Sequence, residues 1–253
     1  MIDMNEYQGR TVVITGAASG MGLCAARTLC AAGGVVVMCD INAAELERLA
    51  AGITATGPGV AYPCVVDVRR YADAQRAAAL AVEKTGRLDL LVTFAGGYEP
   101  RICNTPGIPF YEQPIEVIDW GIDVNLKGAV YFARACMPQM VMAGKGVICC
   151  IGSVTGFEGD GNGAMYGTAK SGLYNFVKGI AQAGAAHGVR AFCVSPGPVM
   201  TRPGMANMKT LLRPAAEPQE LVDFILYLSS DACRCITGSN HVMDCGRLSM
   251  HPQ

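Results

Sequence analysis

Short, wholly apolar runs recur along this chain, each followed by an alanine-rich stretch of helical period. That alternation limits the fold more than any other feature. Thr11–Thr15, Val35–Cys39, Val60–Val66, Leu88–Phe94, Gly146–Ile151 and Arg190–Ser195 are of strand length, with a short last strand at His241–Asp244. Met21–Ala32, Ala43–Ala51, Tyr71–Lys84, Asp123–Ala143, Met165–Ala186 and Pro218–Ser229 carry the helical pattern between them. Strands that are apolar throughout, rather than alternating, must be covered on both faces. Strict strand–helix alternation then predicts an α/β fold with a doubly wound parallel sheet, the Rossmann fold. Residues 95–115 read as loop, with Pro100, Pro106, Pro109 and Pro114. No repeat or linker breaks the pattern, and 253 residues suit one core, so residues 1–253 form a single domain.

Composition excludes several classes. With 51% hydrophobic and 16% charged residues, the chain is not disordered. A net charge of -1 without a basic run gives nucleic acid nothing to bind. The start, Met1-Ile2-Asp3-Met4-Asn5-Glu6, has acid where a signal peptide needs base, and no apolar run approaches the roughly 20 residues that span a bilayer. A cytoplasmic protein without membrane contact is expected. The 12 cysteines include Cys39, Cys149, Cys150 and Cys193 within strand-like runs, where a free thiol packs as a small hydrophobe. With no C-x-x-C, only His187, His241 and His251, and Cys233-x-Cys235 as the nearest ligand pair, no metal site is expected.

Directly after the first strand comes Thr15-Gly16-Ala17-Ala18-Ser19-Gly20-Met21-Gly22. Glycines here let the backbone approach a pyrophosphate, and the following helix aims its free N–H groups at that anion. A plain strand-to-helix turn would not need three glycines in seven residues. Asp40, closing the second strand, can accept hydrogen bonds from both adenosine ribose hydroxyls and would repel a 2′-phosphate, which favours NAD over NADP. Its alternative role is capping the second helix, which Asn42 could do instead.

With these residues in place, the chain resembles the short-chain dehydrogenase/reductase family over nearly its whole length. Thr15–Gly22 matches the T-G-x-x-x-G-x-G pattern, and Tyr166-Gly-Thr-Ala-Lys170 the Y-x-x-x-K motif, with Ser153 thirteen residues earlier. Asp67-Val68 resembles the adenine-contacting pair. Phe94-Ala95-Gly96 stands where the family has Asn-Ala-Gly, a departure that touches local rigidity rather than chemistry. The resemblance implies a cofactor site of Gly16, Ser19, Gly20, Met21, Gly22, Asp40, Asp67, Val68, Ala95 and Gly96, completed by Tyr166, Lys170, Pro196, Gly197, Val199 and Thr201. It implies a catalytic set of Asn125, Ser153, Tyr166 and Lys170, and a homo-oligomer, tetramer or dimer, built on the helices of Asn125 and Tyr166 and on the last strand.

The chemistry is coherent. Tyr166 and Lys170, four apart on a helix, share one face, and a nearby ammonium favours the phenolate. Tyr166 then acts as acid/base, Ser153 steadies the substrate oxygen, and Asn125 holds a water beside Lys170. The expected activity is NAD-dependent interconversion of a secondary alcohol and a ketone. Alternatives are 3-oxoacyl-thioester reduction, a sugar or polyol dehydrogenase, or, in another class, a non-catalytic NAD-binding protein. Tyr98, Phe157 and Met165 are candidate substrate contacts, with Phe110 and Tyr111 nearby. The short lid Met200–Glu217 predicts an open cleft for a bulky small molecule such as a hydroxysteroid.

Overall fold

The chain begins in the middle of its sheet. In the computed structural model, which describes residues 3–250, β1 (Thr11–Thr15) pairs on one side with β2 (Val35–Asp40) and on the other with β4 (Leu90–Thr93). The expectations for Met1, Ile2 and His251 lie outside the described residues. From β1 the chain winds outward through β2 to β3 (Val60–Val65), returns to β4, and winds the other way through β5 (Gly146–Ile151), β6 (Val189–Pro196) and β7 (Asn240–Met243). The order is β3-β2-β1-β4-β5-β6-β7 and every pairing is parallel. This is the doubly wound Rossmann-type sheet. Its direction of winding reverses between β1 and β4, and a crevice opens beyond their carboxyl ends.

Helices cover both faces: α1 (Gly20–Ala31), α2 (Ala43–Thr56), α3 (Tyr71–Thr85), α4 (Glu99–Ile102), α5 (Ile115–Ile122), α6 (Gly128–Ala143), α7 (Thr155–Glu158), α8 (Ala164–Gly184) and α9 (Pro218–Ser229). Successive β1 residues serve opposite faces. Val12 and Ile14 join Leu29 of α1 and Ile225 of α9 in one core layer, while Val13 joins Ala77 of α3, Phe132 of α6 and Leu173 of α8 in the other. Each large side chain buried there contributes on the order of 1.5–3 kcal/mol.

Two elements depart from the expected bounds. The segment expected to be helical from about Asp123 starts at Ile115, because Pro114 presets the helix entry and Val117 and Gly121 bury on α8's side. α5 and α6 run together through a π turn, Asp123–Lys127. The second helix continues past Ala51 to Thr56, adding Ile53 to the buried stripe of Leu46, Leu49 and Ala50. All twelve cysteines are unpaired. Among the described residues no helix is long and apolar enough to cross a membrane, and no group of three or more His, Cys, Asp or Glu is placed to hold a metal.

Candidate active site

The glycine turn after β1 is built by close approach. Gly16 has φ +69°, and a Cβ there would lie 2.8 Å from the Ala95 nitrogen beyond β4. A Cβ on Gly22 would lie 2.2 Å from the Gly16 carbonyl oxygen, so the first turn of α1 can sit on the turn only as glycine. α1 begins with no side-chain cap from Ser19 and no acid in its first turn. Its first N–H groups therefore present uncompensated positive ends to the crevice. Those features fit a dinucleotide's pyrophosphate.

Asp40 stands at the end of β2 in the same crevice. One carboxylate oxygen accepts from the Ala18 N–H and the other from the Asn42 N–H, each at 3.0 Å. Asn42, not Asp40, caps α2, through its contact with the Glu45 N–H. Asp67 behaves differently: Arg69 holds it in an ion pair at 2.6 Å and keeps its carboxyl below the usual range. Val68 packs against α6 where Gly128 leaves room.

The reacting end is assembled from β5 and α8. Ser153 follows β5, and its Oγ accepts from the Thr155 N–H at 3.2 Å. Tyr166 lies in the first turn of α8 with Lys170 one turn on, the Nζ 5.6 Å from the tyrosine ring centre. Lys170 is 4% exposed and donates to the Ile151 carbonyl at 2.7 Å. Burial lowers its pKa to about 8. Burial raises Tyr166, against the lowering effects of the nearby Ser153 hydroxyl and the Arg202 and Arg101 charges and with the raising effect of Glu99.

Asn125 sits in the π turn, buried, just behind the crevice wall. Its Nδ2 donates to the carbonyls of Gly97 and Gly121, and its Oδ1 accepts from the Gly97 N–H at 2.8 Å. A Cβ on Gly96 would fall 2.5 Å from that Oδ1 and 3.4 Å from Lys170 Nζ, so Gly96 keeps open the gap between the two side chains.

These groups share one cleft of about 920 Å³. Ser19, Gly20, Met21, Ala95, Pro196, Gly197, Val199 and Thr201 line it together with Gly16, Gly22, Gly96, Asp40, Asp67, Val68, Ser153, Tyr166 and Lys170. Tyr98 lines it too, edge-on to Tyr166 at 6.1 Å between ring centres, its hydroxyl donating to Asp160. Phe157 and Met165 correct the expectation. Phe157 lies outside the cleft, stacked on Tyr174 at 4.7 Å, and the Met165 Cβ abuts Gly121 on the far side of α8's first turn.

Other residues in the cleft or behind it carried no signal in the sequence. Glu99 is 3% exposed, and its Oε1 accepts from the Met165 and Tyr166 N–H groups, each at 3.0 Å. It caps α8 from outside. Trp120, Ile102, Met205 and Met208 give the cleft an apolar wall, and Arg101 and Arg202 add charge. Only the tertiary fold brings them to α8.

Residues 10–211 match the family described as short chain dehydrogenase. A 7alpha-hydroxysteroid dehydrogenase of Bacteroides fragilis is 28% identical, over 98% of this chain and 97% of the relative. A solved 3-oxoacyl-[acyl-carrier protein] reductase with bound NAD, from Brucella melitensis, superposes with a TM-score of 0.85 at 28% identity, over 96% and 92% of the two chains. A 7 alpha-hydroxysteroid dehydrogenase complexed with NADH and 7-oxo glycochenodeoxycholic acid superposes with a TM-score of 0.85 at 25% identity, over 97% and 98%.

Proposed function

Since the chain belongs to the short chain dehydrogenase family, we propose that it is an NAD-dependent oxidoreductase interconverting a secondary alcohol and a ketone, with Tyr166 as acid and base. The observation that carries this is the joint placement of Ser153, Tyr166 and Lys170 in the cleft that also holds the glycine turn and Asp40. Gly16 and Gly22 let the turn close on backbone that a Cβ would strike, which supports a pyrophosphate resting on the uncapped start of α1. The N–H groups at the start of α1 would hold the pyrophosphate, Asp40 the adenosine ribose, and Lys170 the nicotinamide ribose. When bound, NAD supplies or accepts the hydride.

The chain's own residues manage the proton. Tyr166 gives a proton to the ketone oxygen during reduction and takes it back during oxidation, at its phenol oxygen. Ser153 hydrogen-bonds the same substrate oxygen as charge gathers on it. Asn125 and Lys170 extend the proton path toward solvent across the gap that Gly96 leaves. Asp40 supports NAD over NADP: both its oxygens are anchored by backbone, and a carboxylate fixed there repels a 2′-phosphate. The apolar wall of Trp120, Ile102, Met205 and Met208 supports a bulky substrate of hydroxysteroid type, as do the substrates named for two of the similar proteins. Twelve unpaired thiols suit the reducing cytoplasm.

The test is turnover across hydroxysteroids, polyols and 3-oxoacyl thioesters with NADH and NADPH in parallel. Tyr166→Phe is expected to cut turnover by at least about 10³-fold with NADH still bound, a loss in the range of a missing general acid and its oriented hydrogen bond. Activity that survives this change would end the enzymatic reading. Equal or better efficiency with NADPH would end the role given to Asp40.

A further inference from the structure

Four side chains in the cleft carry positive charge: Arg69, Arg101, Lys170 and Arg202. Two are accounted for. Arg69 is paired with Asp67, and Lys170 is buried against the Ile151 carbonyl. Arg101 and Arg202 are not. Neither lies within ion-pairing distance of a carboxylate among the described residues, and no hydrogen bond from either guanidinium is found there. Of the neighbouring acids, Glu99 uses only one oxygen, and its Oε2 is buried without a partner, yet neither arginine reaches it. Glu99 accepts from the first turn of α8, and Asp160 accepts from Tyr98, Asn162 and Gly163.

The two arginines reach the cleft from two separate segments of the chain. Arg101 comes from α4, its guanidinium 3.6 Å from where a Cβ on Gly97 would stand. Arg202 opens the segment after β6, beside Thr201, with Met205 and Met208 following. They are close enough for each to act on Tyr166, and Arg101 disfavours the charged form of Arg202, on which burial acts more strongly. Two like charges facing one another, one of them partly desolvated, cost free energy unless an anion joins them. The guanidinium fork matches a carboxylate in two parallel hydrogen bonds.

We propose that the substrate carries an anionic head group, a carboxylate, which Arg101 and Arg202 grip within the cleft while its carbonyl carbon faces Tyr166. This rests on the reading of the site as an alcohol dehydrogenase/ketone reductase and narrows it to oxo acids and hydroxy acids. The apolar wall holds the body of the molecule and the arginines its charged end.

The experiment compares ketones as free acid and as methyl ester: an oxo bile acid and 4-oxopentanoate, each against its ester. Dihydroxyacetone phosphate against dihydroxyacetone separates phosphate from carboxylate recognition. Turnover with NADH and quenching of enzyme-bound NADH fluorescence are both read, so binding registers even for a ketone that is not reduced. For at least one acid–ester pair, the acid is expected to bind about 10–100-fold more tightly than the ester, the range of a hydrogen-bonded charge pair. Arg101→Gln and Arg202→Gln should each shrink that ratio about tenfold, and Arg→Lys should restore part of it. Acids that bind no better than esters in every pair overturn the proposal and leave the dehydrogenase reading standing. A preference for the phosphate alone overturns the carboxylate. Loss of NADH affinity in Arg202→Gln with an unchanged acid-to-ester ratio assigns that charge to the cofactor and also overturns it. Failure of the dehydrogenase reading looks different: full turnover in Tyr166→Phe.

Discussion

Glu99 links the segment after β4 to Tyr166 through that residue's own N–H. Its charge also holds the Tyr166 phenol up, adding to burial. Glu99→Gln keeps an acceptor for α8 and removes the charge, so the Tyr166 pKa falls. The pH profile of alcohol oxidation should then shift to lower pH with stability nearly kept; an unmoved profile would reduce Glu99 to a helix cap. Glu99→Ala should lose about 1–3 kcal/mol of stability, the range for a buried donor left unsatisfied. Lys170 makes a second case. Burial brings it to about 8 from the ordinary 10.5, so folding at pH 7 desolvates an ammonium. Between those values the unfolded chain binds the proton more tightly, and stability from this group rises with pH across that window. The cost is full below pH 8, roughly 3 kcal/mol before its hydrogen bond offsets part of it. Lys170→Met is expected to be more stable than the parent in urea at pH 7, by about 1–3 kcal/mol, while losing turnover. The difference should close toward pH 10. A less stable variant at pH 7 would contradict this account.

At the scale of elements, what was legible in the sequence is what rests on local spacing. The glycine turn needs only β1 before it and α1 after it. The Tyr166–Lys170 pair needs only helical period, and Asp40 only the end of an apolar run. Glu99, Arg101 and Arg202 could not be read, because the cleft that gathers them is made of segments far apart in sequence and a Pro-rich loop has no period to interpret. Nearness in sequence also misled. Met165 adjoins Tyr166, yet successive helix positions point about 100° apart, and Met165 faces α5 instead of the cleft. The π turn was hidden for a similar reason: Asp123–Lys127 reads as ordinary helix until Asn125 is seen bonded to Gly97 and Gly121. The α5–α8 contact allows a direct test. A Cβ on Gly121 would meet the Met165 Cβ at 2.7 Å, with no flexible chain end to give way. Gly121→Ala should cost about 1–3 kcal/mol and depress kcat through α8's first turn. Gly52→Ala, in open space within α2, should instead stabilise by about 0.5–1 kcal/mol. Equal effects on stability would show that the close approach carries no energy.

For the whole molecule, the sheet leaves β7 at its edge, and beside Asn240 and His241 that edge exposes apolar surface. Val242 is 43% exposed on β7, and Tyr227 of α9 is 46% exposed. Proteins blunt open edges with charge, proline or a cover, since unpaired backbone groups beside apolar side chains invite association. Here neither charge nor proline lies within Asn240–Met243. We propose that a second copy of the chain supplies the cover, and that the homo-oligomer expected from the sequence forms partly across this edge. A two-fold contact would set the same patch against itself, so one substitution acts on both sides of the interface. Light scattering is expected to give a mass of two or four times 26.5 kDa. Val242→Lys places like charges face to face and should lower the assembly by one step, tetramer to dimer or dimer to monomer. The glycine turn after β1 and Asp40 at the end of β2 lie away from β7 across the sheet, so NADH binding should survive dissociation. A parent protein that stays at 26.5 kDa at micromolar concentration would refute the assembly. An unchanged mass in the variant would move the interface away from β7, toward the face formed by α6 and α8.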